Sequence, residues 1–198
     1  RGLVGSEMCI RDRHMALNAL AALIAVRDYG GDVSEALEAL THFGGVNRRF
    51  QYHGHVGGIR VYDDYAHHPT EARAVLTAAR EVADADAQGL GHPGRVIVCF
   101  QPHLFSRTEQ FAEEFAKALD LADYAIVLDI YGAREKPIPG VTSELITTQL
   151  TIPHKYQPDF SKVPYDVAAI AEPGDIVLTM GAGNVTMEAD AVIALLKG

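Results

Sequence analysis

Three short runs limit what this chain can fold into: Arg95–Phe100, with Val-Ile-Val-Cys-Phe at its centre, Tyr124–Ile130 and Asp175–Met180. Each is apolar at nearly every position rather than at every second one. A strand with one wet face alternates, so these strands must be covered on both faces, which is the condition of a parallel sheet between helical layers. The intervening segments supply the helices. Pro69–Glu81, Ser106–Leu121, Thr142–Leu150 and Val185–Leu196 repeat apolar residues at helical spacing. Upstream, Arg49–His55 and Gly58–Tyr65 alternate around Val56-Gly57-Gly58 and read as a β-hairpin. The expected fold is therefore α/β: a Rossmann-like, mostly parallel open sheet with helices on both faces. Ala83–Gly94, rich in Asp and Gly, is expected to be a surface loop.

The amino-terminal quarter has a different character. Leu17, Leu20, Ala21, Ile24 and Ala25 mark a helix over Met15–Tyr29 that Gly30-Gly31 stops, and Asp32 precedes a second helical run, Ala36–Leu40. Two helices cannot bury both their apolar faces alone, so residues 14–45 are expected to be the helical end of a preceding domain, with Gly44-Gly45-Val46-Asn47 as linker and 46–198 as the next domain. Residues 1–13, ending Met8-Cys9-Ile10-Arg11-Asp12-Arg13, resemble a translated sequencing adaptor and are set aside as non-native.

Lys plus Arg number 17 against 26 Asp plus Glu, a formal net charge of −9, which repels nucleic acid and anionic membranes. Any anionic ligand must then be met by a local cluster of cations. No apolar run is long enough to span a bilayer and no signal peptide is apparent, so neither membrane insertion nor export is expected. Cys9 and Cys99 form neither a disulfide framework nor a metal-ligand spacing, and fit a reducing, cytoplasmic setting.

Ligands of doubly wound sheets bind beyond the carboxyl ends of the strands, and three such segments are unusually polar here. Asp63-Asp64-Tyr65-Ala66-His67-His68-Pro69-Thr70-Glu71 sets two carboxylates, a phenol and two imidazoles before a helix, where His68 or Thr70 can serve as the cap. Phe100-Gln101-Pro102-His103-Leu104-Phe105-Ser106-Arg107-Thr108 suggests Ser106 as N-cap with Glu109 in the first turn. Arg107 in that turn opposes the helix dipole unless an anion is its partner: a ligand carboxylate or phosphate, or a neighbouring Asp or Glu. Gly181-Ala182-Gly183-Asn184 reads as a tight turn or a backbone approach to a ligand.

Taken together, Arg48-Arg49-Phe50, DDYAHHPTE at 63–71 and FQPHLFSRT at 100–108 occur in that order in the muramate:alanine ligases of the Mur ligase family, which the chain resembles. HMALNALAA at 14–22, YGAREKPIPG at 131–140 and MGAGN at 180–184 extend the likeness over nearly all of residues 14–198. The resemblance implies a three-domain, ATP- and magnesium-dependent enzyme that joins L-alanine to UDP-N-acetylmuramate through an acyl-phosphate, with this chain as its third domain and the end of its central one. Asn18 would contact the adenine, Arg49 the terminal phosphates, and Asp64 the ribose. Arg49 and Asp64 would count as catalytic. Tyr65, His67, His103 and Arg107 would face the amino acid.

The chain departs from that pattern at Met15, where many members have Asn, and at Leu104, where many have Arg. No G-x-x-x-x-G-K-[ST] loop occurs in it, so the resemblance places the phosphate cradle, the magnesium ligands and the UDP-sugar site in upstream domains of the same enzyme, and implies that this chain alone is inactive. Three other readings stand beside this one: a sister ligase that adds a recycled tripeptide to the same sugar nucleotide, a metal site built on His67, His68, His103 and Asp64, and a non-catalytic Rossmann-like binding module. Adjacent histidines on extended backbone project apart, which weighs against a metal, and no metal ligand is assigned. The dinucleotide fingerprint is also absent after the first strand.

Overall fold

The computed structural model describes residues 8–43, 46–85 and 94–197, with side chains from Leu17 onward. The backbone divides between Asn47 and Arg48 into two compact units.

The first unit is a helical pair, α1 (Met8–Asp28) and α2 (Val33–Thr41). Helix α1 begins at Met8, inside the segment set aside as foreign. Residues 8–13 contain no Gly or Pro, so nothing local stops the helix from running through them. Gly30, at φ 77, closes α1, and the Asp32 carboxylate caps α2 by accepting from the Ser34 and Glu35 amides. No described side chain of either helix is buried, and Leu17, Leu20, Ile24, Leu37 and Phe43 remain exposed. The Gly44-Gly45 part of the expected linker lies outside the described residues.

The second unit is a six-stranded sheet in the order β1-β2-β6-β3-β4-β5. Strands β1 (Gln51–Val56) and β2 (Ile59–Asp64) form the expected hairpin, and β3 (Val96–Phe100), β4 (Tyr124–Leu128), β5 (His154–Gln157) and β6 (Ile176–Met180) complete the sheet. The hairpin turns on Gly57 and Gly58, both at positive φ, which a two-residue turn of this hand requires. All other pairings are parallel. Helices α3 (Pro69–Ala85), α4 (Phe105–Leu119), α5 (Glu144–Thr147), α6 (Val163–Ile170) and α7 (Thr186–Leu196) cover it.

Burial explains the unbroken apolar runs. Val96, Val98 and Phe100 enter one core with Leu76 of α3 and Phe115 of α4, while Ile97 and Cys99 enter a second core with Val163 and Val167 of α6 and Val192 of α7. Two elements depart from expectation by being present at all. Strand β5, His-Lys-Tyr-Gln, lies at the sheet edge and needs only one apolar face, and α6 is a short helix begun by Pro164 in its first turn. Helix α3 also runs on to Ala85, into the segment expected to be loop, of which residues 86–93 lie outside the described ones.

Candidate functional site

The three polar segments meet at the carboxyl edge of the sheet, because β2, β6 and β3 are parallel neighbours that end together: Asp64 pairs with Met180, and Met180 with Phe100. Two distinct clusters result.

The first is built on the Arg48-Arg49-Phe50 corner. Arg48 and Phe50 both adopt positive φ, 59 and 45, a conformation costly for residues other than glycine and kept only where surroundings enforce it. The Asp64 carboxylate enforces it from within, accepting from the Phe50 amide at 2.6 Å and the Ala66 amide at 2.7 Å, while the Tyr65 amide donates to the Arg48 carbonyl at 2.8 Å. Asp64 is 2% exposed. Burial raises its pKa above the ordinary carboxylate value, and the amides of Phe50 and Ala66 and the charge of Arg49 only partly offset this. Arg48 is held equally firmly. Its guanidinium donates to the Gly181 carbonyl at 2.5 Å, the Gly183 carbonyl at 3.3 Å and the buried Asp63 carboxylate at 3.3 Å, and lies over the Tyr65 ring at 4.7 Å. Asp63 also accepts from the Thr179 and Thr186 hydroxyls, both at 2.8 Å. Arg49, projecting from this locked corner, is exposed, with no ion pair among the described residues.

The second cluster gathers Tyr65, His67, His103 and Arg107. The His67 ring stands edge-on to both Tyr65, at 5.1 Å, and His103, at 5.4 Å. His103 in turn stacks on Tyr131 at 5.7 Å. Arg107 Nη1 donates to the His67 carbonyl at 3.3 Å and to His103 Nδ1 at 3.4 Å. Among the described residues no carboxylate lies within ion-pair distance of Arg107, although its charge reaches Glu135 and helps to lower the pKa of that carboxyl. Burial lowers the His103 pKa, the His67 and Arg107 charges push the same way, and Glu135 opposes them. These effects together favour the neutral imidazole over its cation.

Helix caps differ from expectation. Ser106 is not the N-cap of α4: Leu104 occupies that position at φ 73, without a side-chain cap, and Ser106 lies inside the helix. The acceptor comes from 29 residues away, where the Glu135 carboxylate takes the Ser106 amide at 3.0 Å and its hydroxyl. Those bonds hold Glu135 below the usual carboxylate range. Glu109 consequently falls beyond the first turn, which contains no acid. At α3 the cap is His68, whose Nδ1 accepts from the Thr70 amide, while Glu71 accepts from the amides of His67 and His68. Burial works to raise the Glu71 pKa, yet these amides and the His67 and Arg49 charges bring it below its ordinary value.

Residues that sequence reasoning did not single out frame both clusters. Gln101, 2% exposed, donates no information in sequence but accepts from the Val185 amide with its Oε1 at 3.2 Å. A Cβ at Gly183 would overlap the Gln101 side chain and the Tyr131 ring, so the glycine turn serves close packing of three strand ends. Asn18 belongs to the first unit and is exposed. Among the described residues no three His, Cys, Asp or Glu are placed to hold a metal ion.

Residues 48–183 match the family model described as Mur ligase, glutamate ligase domain. The chain belongs to the Mur ligase family. A UDP-N-acetylmuramate--L-alanine ligase of Rhodococcus erythropolis is 57% identical over 194 residues, covering 96% of this chain and 39% of that protein. The crystal structure of the UDP-N-acetylmuramate-alanine ligase from Thermotoga maritima superposes with a TM-score of 0.69 at 30% identity, covering 91% of this chain and 37% of that one. A crystallised domain of a putative UDP-N-acetylmuramate:peptide ligase from Haemophilus ducreyi shares the fold, with a TM-score of 0.53 at 24% identity, and is covered over 99% of its length by 75% of this chain. The chain thus spans about two fifths of the Mur ligase relatives it matches in sequence. Within the described residues no helix is long and apolar enough to cross a membrane.

Proposed function

We propose that this chain is the amino-acid-binding portion of an ATP-dependent, cytoplasmic ligase that forms the C–N bond between L-alanine and UDP-N-acetylmuramate. The observation that carries this is the second cluster: Arg107 beside two imidazoles and a phenol, with no protein carboxylate at ion-pair distance among the described residues. A small carboxylate can be held there by a guanidinium in two-point contact, and the zwitterion's ammonium can lie toward the aromatic rings. Arg49, exposed and with no ion pair among the described residues, fits the terminal phosphates of ATP, which when bound would supply the phosphoryl group that activates the sugar carboxylate. Asp64 is assigned the ribose contact, and by accepting two backbone amides it also holds the corner from which Arg49 projects. Asn18, exposed on α1, is the adenine contact. Magnesium and the phosphate cradle are assigned to upstream domains, and residues 46–198 to an autonomous domain.

The test is reconstitution. The 198-residue chain should release no phosphate from ATP, whereas the longer enzyme that contains it should release phosphate only when both UDP-N-acetylmuramate and L-alanine are present. Alanine-dependent phosphate release by the chain alone, or alanine-independent release by the longer enzyme, would overturn the assignment.

A further inference from the structure

The two imidazoles of the second cluster are chemically inequivalent, and the hydrogen bonds say how. His67 Nδ1 lies 3.0 Å from the Tyr65 carbonyl oxygen. A carbonyl can only accept, so Nδ1 carries the proton and the neutral ring keeps its lone pair on Nε2. The Glu71 carboxylate stands 3.6 Å from the same Nδ1, where it orients the ring and stabilises its cation. No described residue hydrogen-bonds Nε2 of His67. At His103 the logic inverts. Its Nδ1 faces Arg107 Nη1 at 3.4 Å, and a guanidinium can only donate, so Nδ1 accepts and Nε2 carries the proton. One ring therefore keeps its lone pair on Nε2, and the other keeps its proton there.

We propose that His67 Nε2 is the general base that removes a proton from the ammonium of the incoming amino acid, while His103, its lone pair taken up by Arg107, orients the guanidinium that holds the carboxylate. This rests on the ligase reading above and adds the proton's route to it. An ammonium has no lone pair, so it must lose a proton before it can attack. That proton passes to His67 Nε2, giving an imidazolium balanced by Glu71. The freed nitrogen pair forms the C–N bond at the phosphate-activated carboxyl carbon as the C–O bond to phosphate breaks, its electrons leaving on phosphate. Phosphate takes the second amine proton, and the imidazolium returns its own to solvent. His103 is unsuited to the base role, because Arg107 occupies its lone pair and its neighbours Arg107 and His67 oppose a second proton.

Two measurements test this independently. Nitrogen-15 NMR of the histidine rings in the 198-residue chain, above the titration of both, should show His67 as the Nδ1–H tautomer and His103 as the Nε2–H tautomer. A His67 ring protonated on Nε2 would overturn the proposal, whatever the enzyme's activity. In the full-length ligase, His67→Asn keeps a donor near the position of Nδ1 and removes the base. Its kcat should fall about 100- to 10,000-fold, with the KM for L-alanine moving by less than about 3-fold. The residual rate should climb about tenfold per pH unit where the wild type has levelled off, as free amine accumulates. An unchanged kcat, or a loss confined to KM, would show that His67 only binds. Absence of alanine turnover in the wild-type enzyme would instead sink the ligase reading and leave the tautomers standing.

Discussion

Arg48 and Arg107 sit in two polar clusters at one sheet edge, yet they are satisfied in opposite ways. Arg48 directs its Nε to Asp63, its Nη2 to Gly181 and Gly183 and its face to Tyr65, so most of its interactions turn inward. Among the described residues Arg107 hydrogen-bonds a carbonyl and an imidazole nitrogen, at 3.3 and 3.4 Å, and sits in the first turn of α4 where the helix dipole disfavours it. The pair separates two uses of one residue type. A cation that closes a buried network stabilises the fold, whereas one with no carboxylate at contact is proposed to receive its anion from a ligand.

The sharpest way to break that contrast is to remove each arginine and ask where the loss appears. Arg48→Ala leaves the Asp63 carboxylate fully buried with two hydroxyls and no cation. Breaking a buried pair costs about 3–5 kcal/mol, and the partial exposure of Arg48 puts the expected loss near the lower end, about 3 kcal/mol, read from urea unfolding of the chain. A loss below about 1 kcal/mol would place Arg48 with the surface pairs.

A smaller effect is expected at Glu135, which caps α4 beneath Arg107. Its pKa is depressed in the folded state, so the stability it contributes is present above the ordinary glutamate value of 4.5 and fades as pH falls through the lower folded value. Glu135→Gln should therefore unfold at lower urea than wild type at neutral pH, and the two midpoints should converge in acid. Parallel curves across that range would contradict the capping role.

Much of this arrangement was legible in the sequence, and the exceptions share a cause. The apolar runs at 95–100, 124–130 and 175–180 gave away burial on both faces, since no other environment accepts side chains of that kind at every position. Tyr65, His67, His103 and Arg107 were legible as polar residues directly beyond strand ends, and parallel pairing brings them together. The family resemblance added the expected roles of those residues, which polarity and position alone do not specify. Strand β5 was hidden because an edge strand carries no two-sided apolar pattern. Ser106 looked like a cap because capping was read locally, while the true acceptor, Glu135, is distant in sequence. Gln101 and Tyr131 acquire their roles through partners more than 25 residues away, and Arg48 through Asp63, 15 residues on, and Gly181, 133 residues on. Arg48 and Arg49 are adjacent, and only the positive φ on either side of Arg49 decides which turns inward.

The central claim is that Arg107 holds the amino acid's carboxylate, and the alanine dependence of the full-length ligase carrying Arg107→Ala tests it most directly. Loss of a charge-assisted bond worth roughly 1.5–3 kcal/mol should raise the KM for L-alanine about 10- to 100-fold. The KM for ATP should stay near its wild-type value, and the urea midpoint of the chain should move by less than the equivalent of about 0.5 kcal/mol, because no ion pair is broken. An unchanged alanine KM in a variant of normal stability would contradict the account.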